Sequence, residues 1–149
     1  MTLKTVVVRL LAAAMLLSTA GSAAAAEWFV APGGTGTGTS AAPFGRIQDA
    51  LAKAQAGDTV TVAPGTYAEA LVTVRGGMPN APVRLRAQGV RGTAIVTVPG
   101  RVLQVNHPYI TVEGLVLDGQ YGLADTVDVN DGAEFLTLRN IEVRGSRKG

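Results

Sequence analysis

The chain has 149 residues, with 13 lysines and arginines against 11 aspartates and glutamates, so its formal net charge is +2. It contains no cysteine, which excludes thiol catalysis, cysteine-ligated zinc and disulfide bonds. Its length suits a single domain, which must be held together by packing alone.

Residues 1–26 are typical of a cleaved export signal. Lys4 and Arg9 supply the positive start, residues 10–17 form an apolar stretch, and the small residues at positions 24–26, all alanine, form the cleavage site. A membrane anchor is the alternative, but the apolar stretch is shorter than the roughly 20 residues that span a bilayer. We therefore predict a signal peptide, cleavage before Glu27, and a secreted or periplasmic protein with no membrane contact after cleavage.

Removal of the signal changes the charge balance of the chain. The signal contains two of the 13 basic residues and no acidic ones, so 11 basic residues then face 11 acidic ones. The pI near 9.3 of the whole chain is therefore partly a property of the signal. It gives no support for a nucleic-acid partner, and we predict none.

Residues 27–57 are interpreted as a strand, a glycine-rich link and a capping helix. The same order builds phosphate sites, but these glycines do not match Gly-x-Gly-x-x-Gly and no Lys-Ser or Lys-Thr pair follows. We therefore predict no nucleotide partner and interpret residues 33–38 as a flexible link. Apolar residues recur at the spacing of one helical face and predict a helix ending near Gly57: Phe44, Ile47, Leu51 and Ala54.

From residue 58 onwards, short stretches alternate apolar and polar residues between Gly, Pro and Asn. Such alternation predicts strands with one buried face and one wet face. The clearest stretches are residues 59–62, 71–74, 83–86, 102–105, 109–112, 115–118, 126–129, 135–138 and 141–144.

An internal repeat organises these strands. Residues 109–119 align one to one with residues 135–145. Gly114 and Asn140 hold the same place in the two copies, as a sharp bend at positive φ between two strands requires. Chance turns in ordinary hairpins are the alternative, but they would not explain the matching period. Earlier strands fit a similar but looser period, through Val60, Val83, Leu103 and Val127. Repeats of such a length, when they are made of strands, indicate a solenoid.

Three segments then resemble a known family: residues 29–34, 42–51 and 57–67, the last reading Gly-Asp-Thr-Val-Thr-Val-Ala-Pro-Gly-Thr-Tyr. They resemble the opening of exported right-handed parallel β-helix proteins of the pectate lyase superfamily, especially pectate lyases and chondroitinase or alginate lyases. The resemblance implies an all-β, right-handed parallel β-helix with an N-terminal capping helix. Because members with this opening usually continue for many more coils, residues 58–149 are interpreted as the first coils of a truncated β-helix, incomplete at its C-terminus.

The resemblance also implies three parallel sheets, with sugar bound in a groove on the outer face of one. If the two bends separate the second and third strands of a coil, residues 126–129 open the next coil as its first strand. Val127 and Val129 should then point inward, and Thr126 and Asp128 outward.

Charge is unevenly spread along the mature sequence. Residues 70–112 contain five basic and no acidic residues, whereas residues 113–134 contain six acidic and no basic ones. One interpretation is a basic zone, with Arg84 and Arg86, that binds uronate carboxylates beside an acidic zone that holds calcium. Asp128, on the outer face, is the candidate for both substrate and calcium, and Asp131 is a second calcium candidate. Solvated faces and Asp-Gly turns are the alternative interpretation.

No catalytic residue is predicted, because the basic catalytic residue of such lyases falls in later coils. His107 is interpreted as a loop residue. Trp28 and Tyr67 are interpreted as lining of the cap or first coil rather than sugar platforms. Arg147 and Lys148 are basic groups where no site is complete.

Two function classes stay open. The first is the N-terminal portion of a lyase that cleaves acidic polysaccharide by β-elimination, inactive as this chain alone. The second is a non-catalytic extracellular carbohydrate-binding or surface solenoid.

Overall fold

The computed structural model describes residues 24–146. The predicted signal peptide lies outside this range except for its last three alanines, and so do Arg147 and Lys148. Within the range, the chain forms twelve short strands and one helix. No helix in it is long and apolar enough to cross a membrane.

The strands follow one another closely along the chain. In order they are β1 (Glu27–Val30), β2 (Thr59–Val62), β3 (Gly65–Tyr67), β4 (Leu71–Val72), β5 (Val83–Ala87), β6 (Ala94–Thr97), β7 (Leu103–Val105), β8 (Ile110–Glu113), β9 (Val116–Gly122), β10 (Val127–Val129), β11 (Thr137–Arg139) and β12 (Glu142–Ser146). The helix α1 (Ile47–Lys53) lies between β1 and β2.

All strand pairs between these elements are parallel and form three sheets. The first sheet has the order β1-β2-β5-β8-β11, the second β3-β6-β9-β12, and the third β4-β7-β10. Each turn of the chain therefore visits the first, second and third sheet in succession. Three such turns are complete, and β11 and β12 continue the pattern. The predicted parallel β-helix is confirmed.

The core lies inside the coil, where equivalent residues of successive turns stack in columns. One column of the first sheet contains Val60, Leu85 and Val112, which pair in register and are almost fully buried. Each such aliphatic side chain contributes about 1.5–3 kcal/mol through burial. The stacking gives the fold its stability without disulfide bonds.

The helix closes the N-terminal end of the coil against β1, β2 and β4. Its residues Ile47, Ala50 and Leu51 are buried. The buried carboxylate of Glu69 accepts the backbone N–H groups of Ile47 and Gln48, at 2.7 and 3.1 Å, and so caps the first turn. The predicted capping helix is present, but it ends at Lys53 rather than near Gly57.

The glycine-rich segment forms a loop that backbone hydrogen bonds hold against β1. The amide of Phe29 donates to Gly38 at 2.8 Å, and the amides of Ala31 and Phe44 donate to the carbonyls of Phe44 and Phe29. Gly38 has φ +92° and faces the Phe44 ring, so a side chain there would clash. Phe44 thus lies beside β1, not on the helix as its spacing predicted.

The structure confirms the close match between residues 109–119 and residues 135–145. The looser period predicted from the earlier strands is wrong. The alignment of the two copies pairs Leu138 with Val112, as the register of β11 on β8 shows. Val60, however, pairs with Leu85 rather than stacking above Val83. Val83 and Leu103 lie in different sheets, because β6, like β3, is a strand that the alternation did not reveal.

Each predicted bend separates two consecutive strands of one turn. In the numbering used here, these strands belong to the first and second sheets. Gly114 (φ 77°) separates β8 from β9, and Asn140 (φ 50°) separates β11 from β12. Val127 packs against the core as predicted. Thr126 was expected to point outward but is 1% exposed, because it precedes β10 in a buried turn. Val129 lies in register with buried Val105, yet it is 52% exposed, because no strand between residues 24 and 146 lies beyond it.

Candidate functional site

The outer face of the first sheet presents two columns of polar side chains. Along β5, Val83 and Leu85 are buried, so Arg84 and Arg86 project outward. The register aligns Thr59, Arg84, Thr111 and Thr137 in one column, and Thr61, Arg86, Glu113 and Arg139 in the other. Neighbouring strands lie about 4.8 Å apart, so hydroxyl, guanidinium and carboxylate groups succeed one another along the coil.

Arg86 is held in place by its neighbours on this face. Its Nε donates to Thr61 Oγ1 at 3.1 Å, and its terminal nitrogen pairs with Glu27 Oε1 at 2.9 Å. Thr61 Oγ1 also donates to Glu27 at 2.6 Å. The Thr61 hydroxyl, and next the Arg86 guanidinium, lower the pKa of Glu27 below its ordinary value. The guanidinium is therefore oriented before any ligand arrives.

Beside Arg86 the surface forms a cleft of about 380 Å³. Its lining comprises Arg86, Ala87, Gly89, Arg91, Glu113, Gly114 and Asn140. The bend at Gly114 forms part of the lining, and a side chain there would come within 3.1 Å of Ala87 Cβ. The cleft therefore lies where successive turns bend from the first sheet to the second.

The charges of the cleft are only partly compensated. Arg91 is exposed, and its guanidinium makes no ion pair or hydrogen bond with the residues that the structure describes. Glu113 likewise has no basic partner within residues 24–146. Guanidinium groups bind carboxylates in a bidentate manner, whereas carboxylate and amide groups hydrogen-bond hydroxyls. The cleft thus offers partners for both the carboxylate and the hydroxyl groups of an acidic sugar.

The acidic candidates lie elsewhere on the coil. Asp128 projects from β10 in the third sheet and forms an ion pair with Arg101 at 3.1 Å. Asp131 lies in the loop after that strand. The structure therefore does not bring Asp128 together with Arg84 and Arg86, which lie in the first sheet.

The predicted calcium site has little geometric support. Asp128 already has a cationic partner in Arg101. Residues 24–146 contain no group of three or more His, Asp or Glu side chains that could hold a metal. Calcium at Asp128 and Asp131 stays a prediction.

A polar ladder on the third sheet was not predicted from the sequence. Asn130 donates to Asn106 Oδ1 at 2.6 Å, and Gln104 donates to the same oxygen at 3.2 Å. Asn106 and Asn130 occupy equivalent places one turn apart, just after the paired strands β7 and β10. Matching polar residues at the repeat period was the signal that could have found this ladder.

The remaining sequence candidates have structural roles. His107 lies in the turn between β7 and β8, with Nδ1 2.9 Å from the Thr73 hydroxyl. Trp28 stacks on Phe44 in the cap, with ring centroids 6.1 Å apart. Tyr67 is buried and donates to a backbone carbonyl, and its burial raises its pKa to about 12. Trp28 and Tyr67 line the cap and first turn, as predicted.

Comparison with known proteins gives a limited set of similarities. A family model described as "Protein of unknown function (DUF1565)" matches residues 30–74, which include the glycine loop, the helix and the first turn of the coil. No curated protein matches the chain. A solved structure of a mutant PL6 family alginate lyase, AlyGC, is similar with a TM-score of 0.43 and 18% identity. That alignment covers 79% of this chain and 16% of the lyase chain.

These observations define the class of protein. The chain is a parallel β-helix with an N-terminal capping helix, as the resemblance to the pectate lyase superfamily implied. The fold is established by the parallel strand register of the chain itself.

Proposed function

We propose that this chain is the N-terminal, acidic-polysaccharide-binding portion of an exported β-helix protein related to polysaccharide lyases. The observation that carries the proposal is the cleft in which the oriented Arg86 guanidinium and the uncompensated Arg91 face Glu113 and Asn140. A polyuronate presents carboxylates and hydroxyls in alternation along its length. Both kinds of group find partners in this cleft.

The columns of the first sheet extend the same surface. Arg84 projects from the same strand as Arg86, and Arg139 lies two strands further along the Arg86 column. Both arginines are exposed, and the threonines of the Arg84 column supply hydroxyl groups. A polymer that lies along the coil would meet a new strand about every 4.8 Å. We therefore propose a linear binding face rather than a site for one sugar.

Catalysis is proposed only for a longer parent protein. β-Elimination needs a base placed to remove the proton beside the substrate carboxylate. We assign that role to no residue of this chain, which should bind the polymer without cleaving it. The second candidate, a non-catalytic extracellular solenoid, shares the same binding face and differs only in the activity of the parent.

Binding is tested by titrating the purified chain with alginate, polygalacturonate and neutral dextran at physiological salt. We expect both acidic polymers to bind and dextran not to bind. Arg91→Gln should weaken binding about tenfold, the effect of a lost charge-assisted hydrogen bond. Lys53→Gln is the matched control, because Lys53 is an exposed basic residue of the helix that lies outside the cleft lining and forms no ion pair with the described residues. Equal losses in the two variants would indicate unspecific charge attraction and contradict the proposal.

Cleavage is tested on the same samples by ultraviolet absorbance of unsaturated uronate. This chain should give no increase. Binding and an increase together would show that the catalytic residues are present in this chain. Lyase activity in a longer form of the protein would separate the lyase from the non-catalytic alternative.

A further inference from the structure

A buried carboxylate at the start of β2 is not used by the proposed binding face. Asp58 is 4% exposed and accepts three hydrogen bonds, from Ala26 N at 2.7 Å, Gln55 N at 2.9 Å and Trp28 Nε1 at 3.1 Å. All three donors are neutral groups. No lysine, arginine or histidine between residues 24 and 146 forms an ion pair with Asp58. Buried carboxylates are normally paired with a cation, so this one lacks its usual partner.

The shortest of these bonds comes from the backbone of Ala26. The carbonyl of the same residue accepts the Thr59 amide at 2.9 Å, so both backbone groups of Ala26 take part in the fold. Ala24 and Ala25 are exposed and form no hydrogen bond with other described residues. Ala26 is therefore the first of the described residues whose backbone is hydrogen-bonded into the fold.

The sequence alone allows several processing points here. Residues 22–26 are Ser-Ala-Ala-Ala-Ala, so small residues occupy both recognition positions for cleavage before Ala25, Ala26 or Glu27. The three products differ in what they place on Asp58. A start at Ala25 leaves a neutral amide at Ala26, and a start at Glu27 removes Ala26 with both of its hydrogen bonds. A start at Ala26 places an α-ammonium group where the amide nitrogen already donates to Asp58.

We propose that export processing hydrolyses the bond between Ala25 and Ala26, and that the new α-ammonium of Ala26 pairs with Asp58. Water adds its oxygen to the Ala25 carbonyl carbon, which becomes a carboxylate, and the Ala26 nitrogen becomes the protonated amine. The nitrogen already lies within hydrogen-bond distance of Asp58 Oδ1, so the pair forms without movement of the chain. The inference rests on the proposed export and shifts the sequence-predicted cleavage by one residue.

The pair would complete the N-terminal cap. Asp58 also binds the Trp28 indole on β1 and the Gln55 amide just after the helix. The charge therefore strengthens a junction at which β1, the exit of the helix and the start of β2 meet. An unprocessed chain lacks this charge and has a weaker cap.

The first test identifies the processed N-terminus. The full chain is expressed with its leader in an exporting bacterial host, and the exported protein is analysed by N-terminal sequencing and intact mass. We expect Ala26 as the first residue. A start at Ala25 or Glu27 would overturn the cleavage site but not the export. A chain that keeps its leader would refute the export together with this inference, while polysaccharide binding by the purified chain would be tested separately.

The second test measures the ion pair. A chain that begins at Ala26 is released from a ubiquitin-like fusion and acetylated on its amino groups. Loss of the α-ammonium should lower the melting temperature by about 5 °C. A chain that begins at Ala25 is the control, because it contains the same lysines but keeps its amine away from Asp58. Equal shifts in the two chains would overturn the pair. In an Asp58→Asn variant that folds, acetylation of Ala26 should have no effect.

Discussion

Two valines at equivalent positions of successive turns provide a stringent test of the strand register. Val105 on β7 and Val129 on β10 are direct partners in the third sheet. Val105 is fully buried, whereas Val129 is 52% exposed. Replacing each by alanine removes the same two methyl groups from the same column, so any difference in the loss of stability reflects burial alone.

The expected losses follow from the burial of these methyl groups. At Val105, two buried groups at about 0.8 kcal/mol each, with a cavity contribution, give about 2–3 kcal/mol. At Val129 about half of this surface is already exposed and no closed cavity forms, so the loss should be below about 1 kcal/mol. With an m-value of about 2 kcal/mol/M, the urea midpoint should fall by about 1 M or more for Val105→Ala and by less than about 0.5 M for Val129→Ala.

Urea titration can be followed by the fluorescence of Trp28, the single tryptophan of the chain. Trp28 packs in the N-terminal cap, so far-UV circular dichroism should be recorded in parallel to show that the coil and the cap unfold together. Equal midpoint shifts for the two variants would refute the reasoning, because they would show that Val129 is as buried in solution as Val105.

Three further predictions concern the core, the cap and the ion pairs. Val127→Asp should prevent folding, because it places a charge against the core, whereas Asp128→Ala removes one surface ion pair and should lower the urea midpoint only slightly. Glu69→Ala should cost about 2–3 kcal/mol in thermal unfolding by leaving two helix amides unpaired, and Glu69→Gln about half as much, since its amide oxygen still accepts a bond. Because the pKa of Glu27 is lowered in the folded state, its contribution to stability is present above its ordinary value of 4.5 and is lost as the pH falls through the lowered value. Urea midpoints at pH 7 and pH 3 should therefore differ less in Arg86→Gln than in the parent chain.

The sequence was most informative where one turn repeats another closely. The match of residues 109–119 with residues 135–145 predicted the stacking of β8 on β11 and of β9 on β12, and the structure confirms both. The strands β3 and β6 were missed because the chain bends into the second sheet after only a few residues. A short strand that begins with Gly65 carries too little alternation to be recognised.

The site was only partly predictable, because the coil separates neighbours in sequence. Every few residues the chain passes to another sheet, so a basic zone and an adjoining acidic zone need not share a surface. Arg84 and Arg86 lie on the first sheet, while Asp128 lies on the third. The cleft instead combines residues from successive turns: Arg86 with Glu113 one turn later, and Asn140 a turn beyond. Asn140 was predicted only as a bend residue, although it also lines the cleft.

The N-terminus and the binding face are linked through Glu27. Its carboxylate holds the Arg86 guanidinium at 2.9 Å, and it is the residue that follows Ala26. If processing left Glu27 as the first residue, its own α-ammonium would lie beside that carboxylate and compete with Arg86 for it. A start at Ala26 avoids this competition, because the new charge is directed to Asp58 while Glu27 remains available to Arg86. The same cleavage position thus completes the cap and preserves the orientation of an arginine in the proposed polysaccharide-binding cleft.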